Sequence, residues 1–224
     1  LGWYYGLSGK PTRGLGLIEV VLRKATTLGH KKVVVWANTM FGLTLLESGD
    51  FTATEEVFIN ILKLPKNELG LMNLWIANSA MAILCFKKNQ MDDCFEFHKK
   101  GCEFSKELRH FHHKSPHLLE MLLGLDQLGI VHPKVSFKSE LNRLLDFPDI
   151  YMQGVALRYK VESKVRSNSL KTEDESDLHK SIELLSKSGA KLELARAKIL
   201  LARIRIKQSN VQEAQILLEF ARNV

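Results

Sequence analysis

The sequence predicts an all-α protein in which helical hairpins repeat about every 40 residues and stack as a solenoid. Turn-forming residues recur at that interval along the whole chain, and the stretches between them carry apolar residues at helical spacing. A repeat of this kind is one supersecondary unit whose core is completed by its neighbours. The recurring turn residues are Gly9, Gly49, Asn89, Gly129, Ser169 and Ser209.

Apolar residues three and four positions apart define the predicted helices. The first complete helix shows the pattern, since Leu15, Ile18 and Leu22 fall on one face. Residues 33–35 are three valines, which favour a strand, but they open a segment of helical periodicity, so we predict a helix there. Residues 1–8 are predicted to end a helix, and complete helices are predicted over residues 11–28, 30–48, 52–64, 68–88, 91–109, 116–128, 134–146, 148–168, 174–188, 190–208 and 211–224.

Three local signals set helix boundaries. Pro65 ends the second hairpin, because proline lacks the backbone N–H that a helix interior requires. Ser115 followed by Pro116 has the pattern of an N-cap and a first-turn proline, which predicts a helix start. The charged stretch 171–177 is predicted to be a solvated connection between two helices.

Small residues flank the turns at fixed distances, which predicts that the two helices of a hairpin approach closely. Seven residues before and five residues after the turn these positions hold Gly2, Gly42, Ala82, Ala202, Gly14, Thr54, Cys94 and Ala214. The intervening repeats depart from the rule at Leu122, Glu162, Lys134 and Asp174. The pattern resembles the tetratricopeptide repeat, whose usual period is about 34 residues. The resemblance implies a right-handed α-α superhelix with longer helices or looser connections.

The most specific segment lies between residues 183 and 222, around the run ELARAKILLAR from Glu193 to Arg203. It resembles the C-terminal tetratricopeptide-like region of large bacterial regulators, both the multidomain LuxR-type activators and the enhancer-binding activators that carry an ATPase domain. Gly2-Trp3 and the stretch 6–11 resemble the same repeats. The resemblance implies a helical-repeat domain that receives a signal or a partner, while separate domains bind DNA or hydrolyse ATP.

The composition suits one elongated globular domain over residues 1–224, with 45% apolar and 25% charged residues. Because the chain opens on Leu1 inside a helical pattern, we expect it to be a fragment of a longer protein. Six repeats are predicted, over residues of roughly 1–28, 30–64, 68–109, 114–146, 148–188 and 190–224.

The sequence also predicts a cytoplasmic location. Its longest apolar stretches are far shorter than the roughly 18 residues that identify a membrane span, and the N-terminal residues lack a signal-peptide pattern. Cys85, Cys94 and Cys102 form an odd set within one predicted hairpin, which favours buried thiols in a reducing compartment over disulfides.

We predict that the first helix of each hairpin lines a concave surface that binds a partner. The partner is expected to be a protein or peptide, acidic or amphipathic, and a small effector remains open. The alternative for each apolar position is packing between helices. The predicted contact residues are Trp36, Thr39, Leu43, Ile76, Ser79, Ile83, Tyr159, Arg196 and Arg203.

The formal net charge of +7 is concentrated on two predicted helices between residues 158 and 207. Basic stripes attract nucleic acid, but the last of these helices has almost no interleaved aromatic residues for base stacking, and the chain shows no groove-entering motif. We therefore expect a solvated face, partly neutralised by Glu162, Glu183 and Glu193, and direct nucleic-acid binding stays a lesser alternative.

The sequence gives only weak signals for metal-binding or catalytic residues. His98, Cys102, His110, His112, His113 and His117 form a His/Cys cluster. Zinc sites usually place ligand pairs at constrained spacings, and this set does not, so a polar loop is the better interpretation. Gly14-Leu15-Gly16 lacks the lysine and preceding strand of a phosphate-binding loop. We expect no metal, no cofactor and no enzymatic activity.

Two functions follow as expectations. The first is a protein- or effector-binding module of a bacterial transcriptional regulator, which passes occupancy to other domains. The second is a stand-alone scaffold or chaperone adaptor that gathers protein partners. The sequences on either side of this chain would distinguish them, since an ATPase or a helix-turn-helix segment would select the first.

Overall fold

The computed structural model describes residues 1–108, 116–130 and 136–224, and within them every regular element is a helix. The all-α prediction is therefore confirmed. The chain divides into two compact units, Leu1–His113 and Lys114–Val224. The prediction of a single domain concerns the relation between these units and stays a prediction.

Unit 1 contains three hairpins. Its helices are α1 (Gly2–Leu7), α2 (Pro11–Thr27), α3 (Lys31–Ser48), α4 (Phe51–Leu62), α5 (Lys66–Lys87) and α6 (Met91–Glu107). The prediction of a helix across residues 33–35 is confirmed, since α3 contains them. Gly70, at φ 68° and ψ 152°, interrupts the helical backbone near the start of α5, which the periodicity did not predict.

Unit 2 also contains three hairpins. Its helices are α7 (Pro116–Gln127), α8 (Phe137–Leu145), α9 (Ile150–Arg166), α10 (Thr172–Ser188), α11 (Lys191–Lys207) and α12 (Val211–Arg222). The prediction of a connection over 171–177 is wrong, because α10 begins at Thr172. Asp174 accepts a hydrogen bond from the Lys171 backbone N–H. Three acidic residues in the first turn also stabilise the helix, because they interact with the positive end of its dipole. The predicted N-cap Ser115 lies outside the described residues.

The turns at the 40-residue interval are built by left-handed backbone. Gly9, Gly49, Asn89, Gly129 and Ser209 all have positive φ, between 59° and 83°, as the sequence predicts for turn residues. In the fifth hairpin Asn168, at φ 51°, takes this conformation in place of Ser169. Asparagine tolerates the left-handed region better than serine, so the turn is shifted by one residue.

Left-handed glycines also close two of the connections between hairpins. Gly29 precedes α3 with φ 68°, and Gly189 precedes α11 with φ 72°. The two are 160 residues apart, which is four repeats of 40. At the equivalent position 149, Asp149 is extended with φ −133°, so the left-handed glycine does not recur at every connection.

Small residues bring paired helices together, as predicted, most clearly in the first hairpin. A Cβ added to Gly14 would lie 2.4 Å from the carbonyl oxygen of Gly2, so the two backbones touch. In the fifth hairpin, where Glu162 and Asp174 depart from the rule, the close approach is at Gly154. The Ser181 hydroxyl donates a hydrogen bond to the Gly154 carbonyl at 2.6 Å, and Leu185 packs beside it.

Successive hairpins are joined through their first helices within each unit. In unit 1, α3 contacts both α1 and α5, and in unit 2, α9 contacts both α7 and α11. A second helix also packs against the first helix of the next hairpin, as α2 does with α3, α4 with α5, and α10 with α11. Each first helix consequently has most of its surface covered.

Helix α5 is the one helix of the described residues that is long and apolar enough to span a membrane, with a mean hydropathy of 1.6 over 18 residues. However, 72% of that window is buried inside the protein. Its apolar surface is already used in the core of unit 1, where α3, α4 and α6 contact it.

We expect opposite effects from replacing two glycines of α2. Gly14→Ala places a methyl group against the Gly2 carbonyl and should lower stability by about 1–3 kcal/mol. Gly16→Ala is the matched control, since its Cβ meets nothing within 4 Å and alanine should raise helix stability by about 0.5–1 kcal/mol. Thermal unfolding followed by circular dichroism checks both variants. Equal shifts in the same direction would contradict a close contact at Gly14.

Candidate functional site

Six of the nine predicted contact residues lie in the interior. Each is at most 6% exposed, so it packs against neighbouring helices and presents almost no surface to a partner. For the apolar positions, packing between helices is the alternative interpretation that the sequence also allows. The partner-binding face stays a prediction, and we carry forward its three accessible residues, Trp36, Arg196 and Arg203. The six buried residues are Thr39, Leu43, Ile76, Ser79, Ile83 and Tyr159.

Two of the buried polar positions join helices in unit 1. The Thr39 hydroxyl lies 2.9 Å from Asn73 Oδ1, which connects α3 with α5, and it also lies 2.9 Å from the Val35 carbonyl. Ser79 lies against Gly101 of α6, where a Cβ would stand 3.2 Å from the Ser79 oxygen. These side chains therefore fix helix packing, because a buried hydroxyl requires a hydrogen-bond partner.

Trp36 is the exposed aromatic residue of the predicted face in unit 1. It is 40% exposed on α3, and Val33, one turn earlier, is 44% exposed. Met40, one turn later, is half-buried, and Lys32 beside Val33 is exposed. Residues 32, 33, 36 and 40 share one side of the helix by their spacing. An apolar patch with a lysine at its edge results, in which only Trp36 is a predicted contact residue.

In unit 2 a buried ion pair joins the first helices α9 and α11. Arg158 donates two hydrogen bonds to the same Glu193 oxygen, from Nε at 3.0 Å and from Nη2 at 2.8 Å. Arg158 is 4% exposed and Glu193 is 1% exposed. The Arg158 guanidinium also lies 3.8 Å from the ring centre of Tyr159, a cation–π distance. Tyr159 thus supports the ion pair from the core.

The ion pair is part of a row of alternating charges. Arg158 Nη1 donates to Glu162 at 2.9 Å, and Arg166 Nε donates to the other Glu162 oxygen at 3.1 Å. Arg196 pairs with the second oxygen of Glu193. The row ends in an arginine on both sides, and these two are about one third exposed, with side-chain values of 37% for Arg166 and 34% for Arg196.

The row lowers the pKa of its buried carboxylate. Burial alone would raise the pKa of Glu193, but the attraction of Arg158 and then Arg196 outweighs it and lowers the pKa to about 2. For Arg158, burial opposes the charge, and the attraction of Glu193 raises the pKa above its usual value. Burial is the main cause that raises the pKa of Tyr159. All three groups keep one protonation state near neutral pH, so they are structural.

The face of α11 beside this row is accessible. Arg203 is exposed, Arg196 and Ile199 are half-buried, and the three share one side of the helix, as the sequence predicts. Leu192 and Lys207 extend the same side and were not among the predicted contact residues, although Lys207 lies in the predicted basic stripe. Arg203 makes no ion pair with any described residue. This side of α11 is therefore a cationic surface with an apolar residue at its centre.

Much of the predicted basic stripe is neutralised locally. Lys160 pairs with Asp177 at 2.7 Å, and Arg205 pairs with Glu175 at 2.6 Å and Glu213 at 2.8 Å. Paired cations attract a phosphate backbone less than free ones, which favours the solvated-face interpretation at these positions.

The described residues of the His/Cys cluster make two separate contacts. His98 lies 3.8 Å from Cys102, and His117 pairs with Glu120 at 3.3 Å. No group of three potential ligands occurs among the described residues. His110, His112 and His113 lie outside them. Burial raises the pKa of the Cys94 thiol to about 12, which disfavours the reactive thiolate.

No known protein family, curated protein or solved structure matches this chain. Its function must therefore be inferred from the surfaces of its helices. Among the predicted contact residues, the accessible ones lie on two first helices, in the apolar patch around Trp36 on α3 and on the cationic side of α11.

We expect Glu193→Gln to destabilise unit 2 by about 3–5 kcal/mol, because it leaves the buried Arg158 charge without its main partner. Chemical denaturation at pH 7 checks this. Glu183→Gln is the matched control: Glu183 pairs with Lys187 on the surface, at 61% and 62% exposure, and its replacement should change stability little. Similar losses from both variants would contradict the special role of the buried pair.

The same pair predicts a pH dependence. The pKa of Glu193 is lower in the folded chain than the ordinary 4.5, so its stabilisation is present above that value and is lost as pH falls towards about 2. Thermal unfolding of the wild type is expected to drop more steeply between pH 4.5 and 2 than that of Glu193→Gln. Parallel curves would show that this carboxylate contributes no such dependence.

Proposed function

We propose that this chain is a protein- or effector-binding helical-repeat module of a bacterial transcriptional regulator, and that it catalyses no reaction itself. Its hairpins would follow one another as a right-handed superhelix of the tetratricopeptide type, and partners would bind on the first helices. The observation that carries the proposal is the accessible surface that these helices retain at Trp36 and Arg203.

Three features of the hairpins support the superhelix. The left-handed turns recur near the 40-residue interval in both units. The first helices contact one another in each unit, as expected for stacked repeats. Small residues allow close pairing within hairpins, as at Gly2 and Gly14. Together these features fit one unit of structure used repeatedly.

The binding role is supported by the chemistry of the accessible residues. Trp36 provides a large, partly exposed aromatic surface, and tryptophan and arginine dominate the residues that carry binding energy at protein interfaces. The regulator assignment is supported by the resemblance of residues 183–222, where ELARAKILLAR forms most of α11. In such proteins a helical-repeat domain receives the signal, and other domains act on DNA or hydrolyse ATP. A complete reading frame with an adjoining ATPase or helix-turn-helix segment would favour this role over a stand-alone scaffold.

We expect a displayed library of 12-residue peptides, selected against the whole chain, to yield ligands with apolar and acidic residues. The affinity of a selected peptide, measured by fluorescence anisotropy, should fall on the order of 10-fold in Trp36→Ala or in Arg203→Ala, because each removes a strong interface residue. Lys99→Ala, at an exposed position of α6, is the control and should bind normally. A selection that returns no ligand, or ligands insensitive to both variants, would overturn the proposal.

A further inference from the structure

The accessible side of α11 carries two arginines at a defined spacing. Arg196 and Arg203 are seven residues apart, which is two helical turns or about 10 Å along the axis. Ile199 lies between them on the same side and is half-buried. A partner that matches this surface needs two negative groups about 10 Å apart and an apolar group between them.

The buried charges behind this side hold one of the arginines in place. Glu193, which is 1% exposed, pairs with both Arg158 and Arg196, so Arg196 is anchored to the interior. The row contains three arginines and two glutamates, Glu162 and Glu193, and so carries one excess positive charge. Arg203 adds a further positive charge on the surface.

We propose that this side of α11 binds an amphipathic helix of a partner protein, in which two carboxylates lie seven residues apart and flank an apolar residue. The inference rests on the proposed binding function and specifies the class of partner. The Arg203 guanidinium can match one carboxylate with two parallel hydrogen bonds, which a lysine cannot form. Arg196 already donates to Glu193, and it attracts the other carboxylate through the excess positive charge of its row. Seven residues in the partner helix span the same two turns as Arg196 and Arg203, so both pairs form together.

Two synthetic helical peptides test the spacing. The first is alanine-based and carries Glu at positions i and i+7 with Leu at i+3 and i+4. The second has the same composition, but its second Glu is moved to i+5, on another side of the helix. We expect the whole chain to bind the first peptide about 10-fold more tightly than the second, because only the first forms both charge-assisted pairs. Equal affinities would overturn the inference.

Variants of the chain test the residues. Arg203→Glu should lower the affinity for the first peptide about 10-fold or more. The same variant should bind more tightly than the wild type to a peptide in which both Glu residues are replaced by Lys. Arg196→Lys keeps the positive charge but loses the planar guanidinium that pairs with Glu193, and it should weaken binding less. Lys99→Glu, which makes the same change of charge on α6, is the control for net charge. Circular dichroism confirms that each variant is folded.

The outcomes separate the two proposals. Binding of the first peptide that is lost in Arg203→Glu and kept in Lys99→Glu supports the inference. Equal losses in both variants would show a general charge effect and overturn it. If library peptides bind at Trp36 while the designed peptides do not bind at all, the inference fails and the binding function stands. If no peptide of either kind binds, both fail.

Discussion

The close approach of paired helices is the constraint on which the rest of this structure depends. A hairpin of two helices buries enough apolar surface only if its backbones come near each other, and here they touch where Gly14 meets Gly2. The Gly154 carbonyl and the Ser181 hydroxyl achieve the same in another hairpin, with a hydrogen bond in place of a second glycine. Once the helices are paired, the first helix of each hairpin can contact the first helix of the next.

The first helices are joined by different interactions in the two units. In unit 1 a hydrogen bond between Thr39 and Asn73 joins α3 to α5, in surroundings that are mostly apolar. In unit 2 the buried pair of Arg158 and Glu193 joins α9 to α11. Charges in the interior are costly unless they are fully paired, which explains why both Glu193 oxygens bind arginine. The second solution leaves Arg166 and Arg196 at the edge of the core, and Arg196 contributes to the cationic side of α11.

The candidate binding surfaces are therefore consequences of how the helices pack. Trp36 is accessible on α3, while Leu43, two turns further along, is 6% exposed. Arg203 is accessible on α11, while Leu200 and Leu201 beside it are buried. In each case a small area of a largely covered helix remains open. Such an area is suited to recognising a helix or a peptide, since it presents a few side chains of the types that contribute most to binding energy on a rigid helix.

The sequence by itself determined the helices and their turns. These features depend on local properties, namely apolar spacing and the tolerance of glycine and asparagine for positive φ, so the helix boundaries were mostly predicted within two or three residues. The fate of each helix side was decided only by tertiary structure. Arg158 was predicted to lie in a basic stripe, but Glu193, 35 residues later, makes it a buried ion pair. Six predicted contact residues became core for the same reason: burial depends on which distant helix packs against a residue, and the spacing of residues along one helix does not contain that information.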